Sequence, residues 1–191
     1  VFLRVFGCNF ECTGFGQDRD RSKWLPKDQM PHNKDYPDVK AIEDLPVPHV
    51  GCDSSFSWGK KWGHLAHYDD VDTIVDKINS FIPKTEPIHL VLTGGEPLLK
   101  GFQPAMSDII LHKKLGLNNI TFETNCTQPW KDNFDKFMHG LTAGDYTKHP
   151  VHVTWSTSPK LSISGEEWTR AIRPGVAYQY SQIPNTHLYF K

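Results

Sequence analysis

Apolar residues recur along this chain with two different periods. Val1-Phe2-Leu3-Arg4-Val5-Phe6 is a β-rich run that Gly7 breaks. Beyond Trp62, Asp70 is placed to cap a helix whose apolar positions, Val71, Ile74, Val75, Ile78, Phe81 and Ile82, fall on one face. His89-Leu90-Val91-Leu92 reads as a short strand, and Thr93-Gly94-Gly95-Glu96-Pro97 follows it. A second helix is expected from about Pro104, with Met106, Ile109, Ile110 and Leu111 inside and Gly116 as its stop. Asn119 to Glu123 reads as the next strand, and a third helix starts near Asp132 with Phe134, Phe137, Met138 and Leu141 on one face. His152 to Ser156 reads as a strand, Gly165 to Ile172 as a helical stretch, and His187 to Lys191 as a last strand. Strands alternating with helices predict an α/β fold, with a mainly parallel sheet and right-handed crossovers.

Residues 13–51 break this pattern. They hold Pro26, Pro31, Pro37, Pro46 and Pro48, five of the fourteen prolines, and sustain no apolar period. This stretch is expected to be a long inserted loop, acting as a lid or interface over whatever the neighbouring cysteines hold. The 191 residues suit a single domain. The chain opens without Met, inside a strand, and reads as a fragment lacking N-terminal and C-terminal parts.

Composition narrows the classes. With 21 basic and 22 acidic residues and a formal charge of −1, there is no polycationic face, so direct nucleic-acid binding through bulk charge is not expected. No apolar run approaches a membrane span, and none is expected. Four cysteines, Cys8, Cys12, Cys52 and Cys126, are too few for a disulfide scaffold; a cytoplasmic chain with a metal or cluster site is expected instead.

The chemistry-bearing residues sit at strand ends: Gly7-Cys8, Thr93 to Pro97, Glu123-Thr124-Asn125 and Ser158-Pro159-Lys160. In parallel α/β folds ligands bind at the carboxyl ends of the strands, so these segments are expected to converge. Each alone also reads as an ordinary βα turn. Cys8, Cys12 and Cys52 could hold an iron–sulfur cluster with one iron left open to a small molecule. The alternatives are zinc with His49, His64 or His67, which more often uses Cys-x2-Cys knuckles, or unrelated buried thiols. Gly94-Gly95 lets backbone approach a ligand closely, Glu96 can accept hydrogen bonds from an ammonium group, and Pro97 fixes the turn.

Taken together, these motifs resemble the radical S-adenosylmethionine superfamily. Gly7-Cys8-Asn9-Phe10-Glu11-Cys12 resembles the opening of its Cys-x3-Cys-x2-Cys loop, and Thr93 to Pro97 its methionine-binding motif. Within it, the chain resembles the 7-carboxy-7-deazaguanine synthase family of the queuosine pathway. Phe2-Leu3-Arg4, Cys52-Asp53-Ser54 with Phe56-Ser57-Trp58, Glu123-Thr124-Asn125 and Ser158-Pro159-Lys160 carry that likeness. The third cysteine departs from the pattern: position 15 is Phe, and 13–51 intervene before Cys52, so an insertion inside the cluster loop is expected. Ser54 stands in place of the family's Thr, and Cys126 in place of its usual Gly, where a buried non-ligating thiol is expected.

The resemblance implies a partial TIM-like (β/α) barrel of the radical SAM type. It implies a [4Fe–4S] cluster on Cys8, Cys12 and Cys52, with S-adenosylmethionine at its open iron. Gly51, Asp53, Gly94, Gly95, Glu96, Asn125, Ser158 and Lys160 would contact the cofactor; Mg2+ would bind at Ser54; Arg4 and Thr93 would contact substrate. The implied activity is a carbon–nitrogen lyase: a 5′-deoxyadenosyl radical abstracts hydrogen from 6-carboxy-5,6,7,8-tetrahydropterin, which contracts to 7-carboxy-7-deazaguanine with loss of ammonia. An electron donor such as flavodoxin or ferredoxin and a homodimer belong to the same expectation. A glycyl-radical-enzyme activase of the superfamily and a non-enzymatic zinc-binding interaction module are the competing readings.

Overall fold

A computed structural model describes residues 1–82 and 88–191. Among these, five strands form one open, all-parallel sheet in the order in which they occur along the chain. They are β1 (Phe2–Val5), β2 (Ile88–Gly94), β3 (Leu117–Thr124), β4 (His152–Thr157) and β5 (Thr186–Phe190). The helices are α1 (Val71–Ser80), α2 (Gln103–Ile110), α3 (Asp132–Ala143), α4 (Trp168–Ala171) and α5 (Pro174–Ser181). The strand order never reverses, so successive right-handed crossovers lay their helices on the same side. Burial agrees. Leu90, Leu92, Ile120, Phe122, Val153 and Trp155 are sealed beneath the helices, whereas Phe2, Arg4, His89, Asn119 and His187 on the other face are exposed.

Local chemistry sets the element ends. The Asp70 carboxylate accepts from Thr73 N at 2.7 Å and caps α1 as expected. α3 buries Phe134, Phe137, Met138 and Leu141 and stops at Gly144, whose φ of +90° suits a residue without Cβ. Three expectations need correction. Phe81 and Leu111 are exposed, because α1 and α2 end one residue earlier and leave both at the C-cap, off the buried stripe; Gly116 therefore plays no part in stopping α2. The helical stretch from Gly165 is one turn at Trp168–Ala171, followed by α5, whose Pro-Gly start and aromatic content hide it from a periodicity reading. Residues 83–87, just before the expected strand at His89, lie outside the described residues.

Residues 13–51, all of them described, form a loop of short 3-10 turns at Arg21–Lys23, Lys27–Gln29, Pro31–Asn33 and Ile42–Asp44. The loop has its own buried side chains, Met30 and His32. It closes at its neck, where Gly51 N donates to Phe15 O at 2.7 Å. The excursion therefore leaves the body and returns to it at one place.

Candidate functional site

That neck is what brings a remote cysteine back. Cys8, Cys12 and Cys52 lie in one small apolar cluster with Phe10, Phe15 and Ala171, beyond the carboxyl end of β1. The backbone there is held from several directions. Glu166 Oε1 accepts from Cys12 N at 2.7 Å and from Glu11 N at 2.9 Å, in a turn where Cys12 has a φ of +48°. The Asn9 amide donates to Thr127 Oγ1 at 3.0 Å and accepts from Asn125 Nδ2 at 2.8 Å, tying the cysteine loop to the end of β3. Cys126 packs in the main core and not with the other three thiols.

Burial raises all three thiols: Cys8 to about 11, Cys12 further, and Cys52 in the same direction. The Lys160 ammonium faces each of them and opposes that rise. Three neighbouring thiols, dry enough to stay protonated alone, beside a single lysine, form a donor set that a cationic centre would ionise. This chemistry fits an iron–sulfur cluster. Among the described residues no group of three or more His, Cys, Asp or Glu side chains is arranged to hold a single metal ion.

The Gly94-Gly95-Glu96-Pro97 turn lies against this loop. A Cβ on Gly95 would stand 1.9 Å from Gly7 O, and one on Gly94, at φ +117°, 2.4 Å from Val5 O. Both glycines are therefore required by the close approach of β1's end to β2's end. Glu96 lies in the same turn. Its carboxylate is fully buried and occupied by this chain's own donors: Leu98 N at 3.0 Å and Thr124 Oγ1 at 2.7 Å on Oε1, Asn125 N at 2.7 Å on Oε2. Burial raises its pKa to about 6, against the pull of those hydrogen bonds. Ser158 N donates to Thr124 O at 2.8 Å, and Lys160 Nζ to Ser158 Oγ at 3.3 Å, so the ends of β3 and β4 join the same locality. Beside them Cys126, Pro159, Ala171, Ile172, Ala177 and Phe190 help line an apolar cavity of about 200 Å3.

On the open face of the sheet a polar row crosses the strands near their carboxyl ends. Arg4 pairs with Thr93, and Glu123 with Ser156 and then Tyr189. Thr93 Oγ1 donates to Glu123 Oε2 at 2.7 Å, which closes the row between β2 and β3. Lys191 donates to Glu123 Oε1 at 2.9 Å. The Lys191 and Thr93 hydrogen bonds hold the Glu123 carboxyl below its ordinary range, with the Arg4 charge adding to them. Arg4 also donates to Ser54 Oγ at 2.9 Å, and Ser54 to Asp53 Oδ1 at 3.1 Å. Asp53 and Ser54 thus present adjacent oxygens, the hard donor type that Mg2+ takes, with the Arg4 guanidinium already on Ser54 Oγ. Gly51, at φ +79°, lies at the loop neck, where a Cβ would stand 2.6 Å from Met30 Cε.

The residues singled out in sequence therefore fall into two adjoining groups. Cys8, Cys12, Cys52, Gly94, Gly95, Glu96, Asn125, Ser158 and Lys160 surround the thiols, while Arg4, Asp53, Ser54 and Thr93 line the polar row. Sequence reasoning missed Glu123 as a site residue, although it opens a segment already noticed. It also missed Asn9, Glu166 and Lys191, whose roles depend on partners more than 60 residues away and leave no local signal. Compared with protein-family models, curated proteins and solved structures, the chain matches none. Among the described residues no helix is long and apolar enough to cross a membrane.

Proposed function

We propose that this chain is a radical S-adenosylmethionine enzyme, the ring-contracting lyase that converts 6-carboxy-5,6,7,8-tetrahydropterin to 7-carboxy-7-deazaguanine with loss of ammonia. The observation that carries the reading is the gathering of Cys8, Cys12 and Cys52 in one apolar cluster across a long insertion, beside the Gly-Gly-Glu-Pro turn. The open parallel sheet with helices on one side supports a partial barrel of the radical SAM type. A [4Fe–4S] cluster with S-adenosylmethionine supplies one-electron reductive cleavage and hydrogen abstraction when bound. The protein's own part is binding and orientation. Lys160 offsets negative charge on the thiolates, and the small apolar cavity beside Asn125 and Ser158 suits a flat heterocycle.

On the open face, Arg4 pairs a substrate carboxylate in two-point fashion. Ser54 would be a ligand of Mg2+, with Asp53 adjacent, and the ion would supply positive charge for the substrate carboxylate. Glu123, kept ionised by Lys191 and Thr93, accepts from the amino and ring N–H edge of a pterin. The reading includes a small reduced electron-transfer protein such as flavodoxin or ferredoxin as donor, a homodimer, and a cytoplasmic setting.

The test is anaerobic turnover of the carboxytetrahydropterin by the full chain with S-adenosylmethionine, Mg2+ and a reductant. The deazaguanine product is expected. Ser54→Ala should weaken the Mg2+ dependence and raise KM about tenfold, the loss of one charge-assisted contact, with the iron content unchanged. Ser54→Thr should behave as the unaltered protein. An iron-loaded chain that cleaves S-adenosylmethionine but leaves the pterin untouched contradicts the substrate assignment.

A further inference from the structure

The polar row on the open face contains a hydroxyl with nothing to bond. Ser156 stands in register between Glu123 on β3 and Tyr189 on β5. Its neighbour Trp155 is sealed beneath the helices, so the alternation of a strand turns Ser156 to the open face. Yet Ser156 is only 1% exposed, and its Oγ is buried with no hydrogen-bond partner among the described residues. A buried hydroxyl left unpaired costs free energy, and native folds keep few of them.

Lys191 accounts for the cover. Its backbone N donates to Thr157 O at 2.8 Å, which carries the line of β5 on beside β4. It follows Tyr189 by two residues and so shares its face. From there its ammonium reaches Glu123 Oε1 at 2.9 Å. Glu123 lies on β3, two strands away, which is about 10 Å at the ordinary strand spacing. The lysine side chain therefore crosses β4 beside Ser156 and covers it. Thr93 already donates to Oε2, so each oxygen of Glu123 carries a donor from the chain itself. A ligand whose N–H edge is to pair with this carboxylate meets the lysine first.

We propose that Lys191 is a strap over the ligand site: its ammonium holds the place of the ligand's N–H edge, a bound pterin displaces it from Glu123 Oε1, and Ser156, uncovered by that movement, becomes a further ligand contact through its hydroxyl. This rests on the reading of the open face as the pterin site. Exchange of one donor for another keeps the carboxylate paired, and a part-exposed ion pair is weak enough to be exchanged. The strap also sets a condition on the ligand, which must bring N–H or cationic groups to replace an ammonium.

The test is equilibrium binding of 6-carboxypterin, a stable oxidised relative of the substrate, to the full chain with Mg2+, read by the fluorescence of the pterin. Lys191→Met keeps a long unbranched side chain and removes the ammonium. It should bind the pterin about fivefold more tightly, the most that a part-exposed ion pair is worth. Ser156→Ala should bind it about fivefold more weakly, the loss of one hydrogen bond, with no fall in Tm, because it also removes an unpaired hydroxyl. Equal or weaker binding by Lys191→Met overturns the strap. Unchanged affinity in Ser156→Ala, with or without a lower Tm, overturns the hydroxyl contact. Both of these results leave the pterin reading standing. An unaltered chain and a Lys191→Met variant that both fail to bind 6-carboxypterin overturn that reading, and this proposal with it.

Discussion

At Glu96 three donors from the chain itself occupy the carboxylate and leave one lone-pair direction of Oε2 open. Glu96→Ala would strand Leu98 N, Thr124 Oγ1 and Asn125 N in a buried site. The expected cost is on the order of 3 kcal/mol or more in urea unfolding, since each buried unpaired donor costs about 1–3 kcal/mol. A loss under about 1 kcal/mol would mean that the ends of β2 and β3 do not depend on this clasp. The pH dependence has a definite sign. Burial raises the folded-state pKa to about 6, above the ordinary value of 4.5, so the folded state holds the proton more tightly than the unfolded one. The stability linked to that proton is fully present below pH 4.5 and is lost as pH rises through about 6. The full span is about 2 kcal/mol, and Glu96→Gln should lack it in unfolding curves at both ends of that window. At Gly95 the prediction is steric. A methyl 1.9 Å from Gly7 O cannot be accommodated without parting β1 from β2. Gly95→Ala should cost about 3 kcal/mol or more and lower Tm clearly; an unchanged Tm would show that the strand ends are not so closely apposed.

Among the elements, the sheet and the first three helices were legible because each buries a periodic stripe that local sequence encodes. Val75 and Ile78, Met106 and Ile109, and Phe134, Phe137, Met138 and Leu141 are all buried where the pattern put them. α5 was not legible, because its burial rests on Tyr180, whose ring stacks 4.8 Å from Trp130, a partner distant in sequence. The same limit applied to the site. The cysteines and the Gly-Gly-Glu-Pro turn could be read, but the internal hydrogen bonds of Glu96 and the Glu123–Lys191 pair could not, because they depend on strand register. The inserted loop reads as irregular and is so, yet it has a core of its own around Met30 and His32. Met30→Ala should therefore cost about 2–5 kcal/mol of local stability. Hydrogen exchange should show faster exchange across 13–51 while β2, β3 and β4 keep their protection. Uniformly faster exchange over the sheet would instead make the loop part of the same cooperative unit.

For the whole molecule, the two faces of the sheet differ in character: one is apolar and covered, the other polar and open. One face is sealed under helices by Leu90, Leu92, Phe122 and Trp155; the other carries Arg4, Thr93 and Glu123 near the strand ends, with the thiols just beyond. The central claim is that the thiols gathered there hold one iron–sulfur cluster. Its most direct test is the iron and acid-labile sulfide content of the full chain after anaerobic reconstitution, compared with Cys8→Ala, Cys12→Ala, Cys52→Ala and Cys126→Ala. The account predicts about four irons and four sulfides in the unaltered chain and in Cys126→Ala, and loss of both in each of the other three. A colourless protein with one zinc per chain, or iron and sulfide retained without Cys52, would contradict it.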